Sequence, residues 1–396
     1  MPKPRRVAMM LDLAWAVGWH TGIFAGAQKY AREHGWEAHI DELAEQVLPA
    51  KPGEPVAYDG IIARATRKLA NRAERLKVPI VNVWNSSPVW NRLPGVFMDN
   101  LAIGRMKAEH MMARGLRRFA ALTLQGARGQ QLELEVFLET LEESGYSCSC
   151  LKIREEPRRE FTLGKKAKKQ IGAWIDQWQT PIGLFVGSDI AGRMLTMMCM
   201  DFGLQVPQDV AIIAGWNQEP YCLHCRPTLT SVEVGFDNIG YEAARLLDRL
   251  MDGKAPPAEP IRVPPVGLVV RESTDFYAVD DELMAEALRF IATNSHRRIH
   301  SQDVADAVDT PLRTLKRRFD QFLNRPIASE IRRVRIELAK RELVQSDRSL
   351  AQIAEDVGFI SSVRMCTVFR RELGVTPGEY RRQRQSRQRG QSGRPG

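Results

Sequence analysis

The strongest constraint on this chain's fold is an alternation sustained over residues 1–275. Short apolar runs rich in β-branched residues recur at Val7 to Leu13, Gly60 to Ile62, Ile80 to Trp84, Phe119 to Leu124, Gly183 to Val186, Val210 to Ala214 and Val266 to Val270. Between them lie stretches of helical period. In Ile239 to Met251, for example, Ile239, Ala243, Leu246, Leu247 and Leu250 share one face and Gly253 follows the end. Phe24 to His34, Ile103 to Ala113 and Glu133 to Glu143 read the same way. Strands alternating with helices at this spacing predict α/β architecture with parallel sheets covered on both faces. The stretch is too long for one doubly wound domain of ordinary size, so two lobes are expected.

The last third is of another kind. Of the formal net charge of +9, residues 281–396 carry +8 and the first 280 carry +1, while all eight tryptophans fall between Trp15 and Trp216. A basic, tryptophan-free segment beside a neutral, tryptophan-bearing one points to double-stranded DNA as partner of the former and a small ligand for the latter.

No uncharged apolar run is long enough to span a bilayer. The apolar N-terminal stretch Val7 to Leu11 is broken by Asp12, so it reads as a first strand rather than a leader. Six cysteines in 396 residues then predict reduced thiols and a cytoplasmic location, with Cys148 and Cys150 on a surface turn. Cys222-Leu-His-Cys225 has no second pair at a zinc-site spacing, and no metal or other cofactor is expected. Gly-x-Ser-x-Gly, Walker, Gly-x-Gly-x-x-Gly and His-Glu-x-x-His motifs are missing, so an enzyme is not the expectation.

In such sheets ligands bind beyond the carboxyl ends of the strands. The residues found there are Trp15 and Trp19, then Trp84, Asn85 and Ser86, then Ser188 and Asp189, then Trp216, Asn217 and Gln218. Amides and carboxylates pair with hydroxyls, and indole faces cover the C–H face of a sugar ring. The same residues also suit core packing, turns and helix caps, so both roles stay open.

Asp59 to Arg64, Val96 to Gly104, Ala108 to His110, Gly203 to Ala211 and Leu229 to Val232 resemble the periplasmic-binding-protein-like sensor of LacI-type regulators. Val263 to Asp275 is similar to the xylose-operon regulator group. The resemblance implies two Rossmann-like lobes joined by three crossings and closing on a sugar or purine, with xylose or another sugar as effector. Two positions depart from the pattern. Asn217 stands where an acid is frequent, and Glu133, four residues before Phe137, stands where an arginine is usual. Both remain candidate ligand contacts, and losing two charged, orienting contacts predicts changed or lost sugar specificity.

Downstream the sequence repeats itself. Asp280 to Ser295 reads as a helix with Leu283, Ala287, Phe290 and Ile291 inward. Ser301 opens a short helix, and Thr310-Pro311 starts a second over Leu312 to Phe322 that buries Leu312, Leu315, Phe319 and Phe322 and shows Arg313, Thr314, Lys316 and Arg317. After a connecting helix, Ile327 to Gln345, a capping box at Ser349 and Gln352 begins Leu350 to Val357; Gly358 turns, and Ser361 or Ser362 opens a helix to Leu373. There Met365, Val368 and Phe369 face inward while Ser361, Ser362, Arg364, Cys366, Thr367 and Arg370 face out. Two such helices suit successive major grooves.

Leu315 to Phe319, Ala339 to Val344, Ile353 to Phe359 and Val368 to Arg381 resemble the all-α AraC/XylS DNA-binding domain with two helix-turn-helix units. Met365 and Val363 depart from it, since an aromatic and a small or polar residue are usual at those places. The resemblance implies activation through RNA polymerase and a homodimer formed through the sensor. The predicted division is 1–278 sensor, 279–385 reader and 386–396 basic disordered tail. Rival readings are a metabolite-binding module with only nonspecific DNA affinity, or a regulator that no longer binds a sugar.

Overall fold

The computed structural model describes residues 4–13, 18–41, 48–49, 53–124, 128–153, 165–276, 281–323, 325–346 and 348–382. Trp15 and the tail 386–396 lie outside these. The chain divides into two compact units, residues 1–275 and 276–396.

The first lobe of the first unit is a parallel sheet of β1 (Arg6–Met10), β2 (Glu37–Ile40), β3 (Gly60–Ala63) and β4 (Ile80–Asn82) in the order β2-β1-β3-β4. A bridge from Asn82 to Gly95 leads to the parallel pair β5 (Val96–Met98) and β11 (Ile261–Val263). Val7, Met9, Ile62 and Val81 point from it into a core shared with α1 (Trp19–Glu33) and α8 (Phe236–Met251), which supply Ile23, Ala27, Ile239, Ala243 and Leu247. On the opposite face α2 (Arg67–Leu76) adds Leu69 and Ala73 against Ala8, Ile61 and Ile80.

The second lobe repeats the plan with β6 (Phe119–Leu124), β7 (Cys148–Ile153), β8 (Ile182–Val186) and β9 (Val210–Ile213) in the order β7-β6-β8-β9. Its helices are α3 (Asn100–Ala113), α4 (Arg128–Glu143), α5 (Lys165–Ile175), α6 (Asp189–Asp201) and the short α7 (Glu219–Cys222). An antiparallel pair, β10 (Ser231–Glu233) and β12 (Gly267–Val269), joins through the bridge of Ile213 to Thr230. The chain crosses between lobes at 98–100, 233–236 and 263–267.

Helices α1 and α8 touch backbone to backbone. A Cβ placed on Gly26 would lie 1.8 Å from the Asp237 carbonyl oxygen, and one on Gly240 would lie 1.9 Å from that of Ile23. Only glycine at both places lets the helices come this close.

Several expectations need correction. The first strand ends at Met10, not Leu13, and the run at Val266 forms a three-residue antiparallel strand rather than another parallel one. Cys148 and Cys150 are not on a turn but on β7, an edge strand paired with β6. Strands β2, β5, β10 and β11 were not foreseen; unlike the equally short β3, β4 and β9, none of them is buried along its whole length, so no apolar run of their own marks them.

The second unit is helical: α9 (Glu282–Asn294), α10 (Ser301–Ala307), α11 (Leu312–Leu323), α12 (Ile327–Gln345), α13 (Leu350–Asp356) and α14 (Ser362–Leu373). Two cores form. Met284, Ala287, Ile291, Val304, Leu315 and Phe319 make one; Ile353, Val357, Phe359, Met365, Val368 and Phe369 make the other. Helix α12 serves both, giving Ile327, Ile331 and Val334 to the first and Ile336, Ala339 and Leu343 to the second. Phe322, expected inside, is 40% exposed, and Leu323 packs in its stead because the stripe continues from Phe319 by four residues rather than three. Among the described residues no helix is long and apolar enough to cross a membrane.

Candidate effector cavity and DNA-reading helices

Between the lobes of the first unit lies a cavity of about 570 Å³, counting its open mouth. Trp19, Trp84 and Trp216 line it together with Ile23, Phe97, Met98, Phe236 and Ile239, and Asn85, Ser86 and Gln130 are the polar side chains. No charged side chain is among this described lining, a composition for a neutral ligand with an apolar face.

The rings are held from behind. The Arg64 guanidinium sits 4.3 Å from the Trp84 ring centre and 5.5 Å from that of Trp19, a cation stacked on both indoles. Trp216 Nε1 donates to Glu133 Oε1 at 2.9 Å, and Asn100 Nδ2 donates to the same oxygen at 2.8 Å. Asn100 Oδ1 accepts from Asn85 Nδ2 at 2.6 Å. Lys107 Nζ donates to Glu133 Oε2 at 3.0 Å, and both side chains are fully buried. Glu133 thus ties Asn85 of the first lobe to Trp216 of the second, with its charge balanced by Lys107.

Asp189, at the start of α6, is also fully buried. Its Oδ1 accepts from Gly215 N and Ser231 Oγ, and its Oδ2 from Trp216 N and Gln218 N. These use the acceptor capacity of a carboxylate and fix the loop that carries Trp216. Asn217 has a φ of 52°, in the left-handed region an asparagine tolerates. Its Nδ2 donates to Glu233 Oε2 at 2.7 Å and its Oδ1 accepts from Arg271 Nη2 at 2.5 Å. The residue behind the Trp216 wall therefore clamps β10 to the segment leaving β12.

That segment ends the first unit and is tied to the second lobe throughout. Glu272 Oε2 accepts from Thr228 N and Oγ1, Ser273 Oγ donates to Ile212 O, and His110 Nε2 hydrogen-bonds Thr274 Oγ1 at 2.8 Å. Burial, with Arg114 nearby, pushes the His110 pKa down to about 3, so the ring is neutral here.

In the second unit the turn before each reading helix contains one left-handed residue, Asp309 at φ 46° and Gly358 at φ 80°. Arg313, Lys316 and Arg317 are exposed on α11 and Thr314 is half-buried. On α14, Ser361 caps the helix by accepting from Arg364 N at 3.2 Å, and Arg364, Thr367 and Arg370 are exposed. Each helix buries one stripe and offers the other to a groove.

The family model of a periplasmic binding protein-like domain matches residues 108–274, and that of a helix-turn-helix domain matches residues 304–383. The chain is 28% identical over 353 residues to the xylose operon regulatory protein of Haemophilus influenzae, covering 87% of this chain and 90% of that one. It is 28% identical over 356 residues to the xylose operon regulatory protein of Escherichia coli strain K12, covering 88% of each. The likeness runs through both units in the same order. The chain is a transcription regulator in which a periplasmic-binding-protein-like domain precedes a helix-turn-helix domain. Its fold agrees with the solved structure of a xylose-binding transcription activator, at a TM-score of 0.65 and 24% identity over 96% of this chain and 98% of that one.

Of the regulator's expected ligand contacts, Trp19, Trp84, Asn85 and Trp216 come together around the cavity, whereas Glu133, Asp189 and Asn217 stand behind its wall with their oxygens engaged. Trp15 is outside the described residues. Sequence reading missed Arg64, Phe97, Gln130 and Phe236, and it missed Lys107, for which a signal existed. Lys107 is four residues after Ile103 and four before Met111, both fully buried, and a lysine on a buried stripe requires an acid nearby.

On the reader, Arg313→Ala or Lys316→Ala is expected to weaken promoter binding by about 1–3 kcal/mol if the side chain grips a base, and to lower the salt slope by about one unit if it grips a phosphate. Effector affinity should not move. Titration of the labelled promoter and of the effector against each variant checks this, and parallel loss of both would contradict the division of labour.

Proposed function

We propose that this regulator binds a small neutral sugar, in the first instance D-xylose or a related pentose, between the sensor lobes, and that the bound form activates transcription from its promoter. The cavity carries this reading: three indoles and the polar Asn85, Ser86 and Gln130 around a space between the lobes, on a chain that also holds two helix-turn-helix units. The names of the relatives, xylose operon regulatory proteins and a xylose-binding transcription activator, support it. Homodimer formation through the sensor and contact with RNA polymerase belong to the same reading.

Thermal unfolding of the full-length chain against D-xylose, other pentoses, hexoses, their acids and purines tests it. A ligand that binds only the folded state stabilises by about 2.7 kcal/mol at a hundred times its Kd, so the melting temperature should climb with concentration for one neutral sugar. A shift confined to acids or purines would replace the sugar, and no shift with any would favour a regulator that has lost its sugar.

Effector and DNA must each prefer one arrangement of the sensor for one to control the other. Asn217, whose amide joins Glu233 to Arg271 directly behind Trp216, is placed to carry that preference to the exit segment. Asn217→Gly keeps the left-handed backbone without strain and removes the amide. It should leave the D-xylose melting shift within about threefold in apparent affinity, and cut a coupling that is typically about 5- to 150-fold. The ratio of promoter affinities with and without D-xylose measures it; an unchanged ratio would place the coupling elsewhere.

A further inference from the structure

The two reading helices share a plan and differ in finish. Setting the buried Leu315 and Phe319 against Met365 and Phe369 pairs Thr310 with Ile360, Arg313 with Val363, Thr314 with Arg364, Lys316 with Cys366 and Arg317 with Thr367. Helix α11 leads with cations. Helix α14 and the residue just before its Ser361 cap present two β-branched aliphatics instead, Val363 at 74% and Ile360 at 72% exposure, the most exposed large hydrophobic side chains among the described residues.

They flank the Ser361 cap, and the core beneath them is complete without them, closed by Ile336, Leu343, Ile353, Phe359, Met365 and Phe369. Their solvent exposure therefore has no return within the second unit. Arg364 and Arg370, exposed on the same helix, favour a polyanionic occupant over an apolar one. The major groove offers such residues one apolar feature, the 5-methyl group of thymine.

We propose that the second helix-turn-helix unit selects thymine through methyl contacts made by Val363 and Ile360, while the first selects guanine through the acceptors that Arg313, Lys316 and Arg317 can reach. The preferred DNA is then bipartite and unlike in its halves. This rests on the reading of the chain as a sequence-specific DNA binder, and the test separates the two.

Full-length protein selects its preferred sequence from a random duplex pool at physiological salt. Each thymine of that sequence is then replaced by deoxyuridine, which pairs identically and lacks only the methyl. At one or two positions clustered in one half, uracil should weaken binding about fourfold, the partition value of a single buried methyl. Val363→Ser or Ile360→Ser should lose the thymine-over-uracil preference at one of them, and Arg313→Ala should keep it. If uracil is tolerated everywhere, or the preference survives in both serine variants, the proposal is overturned while DNA reading stands. If the pool yields no preferred sequence, the DNA reading itself falls.

Discussion

Replacing Lys107 by methionine should cost the sensor about 3–5 kcal/mol, because it leaves the Glu133 carboxylate charged, fully buried and without its counter-ion. Asn100 and Trp216 still donate to that carboxylate, so the site keeps its shape and loses its charge balance. The double variant Lys107→Met, Glu133→Gln removes both charges and retains an oxygen for Trp216 Nε1. It should recover most of the loss, since a neutral replacement of a buried pair is frequently near break-even. Denaturant unfolding followed by tryptophan fluorescence reads the sensor alone, as all eight tryptophans lie between residues 15 and 216. Equal losses in the single and double variants would show that the pair is not coupled.

Gly240→Ala should be comparably damaging, at about 3 kcal/mol or more, because the new methyl would meet the backbone carbonyl of Ile23 rather than a side chain able to rotate away. The only relief is to push α8 off α1. Phe236 and Ile239 on the former and Trp19 and Ile23 on the latter line the cavity, so binding of whichever ligand raises the melting temperature should weaken with stability. Gly378→Ala, where an added Cβ meets nothing within 4 Å, is the control. Unfolding midpoints of the two variants check the prediction, and an unchanged midpoint for Gly240→Ala would mean the helices can slide apart at little cost.

What could be read beforehand follows the length over which a physical pattern repeats. Strands β3, β6, β8 and β9 are apolar and buried, and they stand out as continuous runs. The reader helices announce themselves through caps, turn residues and a repeated stripe, although Asp309 supplies its left-handed turn without the glycine that marks Gly358. The short strands β2, β5, β10 and β11, each only partly buried, left no continuous run to find. For the cavity, the rule that strand ends face the ligand found Trp84, Asn85 and Trp216, but it could not separate a side chain facing the cavity from one facing the loop behind. Asp189 and Asn217 follow strands as Asn85 does; what distinguishes them is which partners the fold brings near, Gly215, Ser231 and Arg271, residues distant in sequence. Glu133 had the appearance of a lost arginine. It is one half of an ion pair whose other half lies 26 residues earlier.

Helix α12 contributes side chains to both reader cores along one uninterrupted run. It is in effect a ruler graduated at about 1.5 Å per residue. DNA turns once in about 10.5 base pairs, so one base pair inserted between the two contacted segments would swing the second through roughly 34° about the duplex axis. The helix could follow only by giving up backbone hydrogen bonds. A promoter served by this protein can therefore drift in the letters of its two segments one at a time, but the count of base pairs between them is held nearly fixed by a length of polypeptide that need not touch the bases.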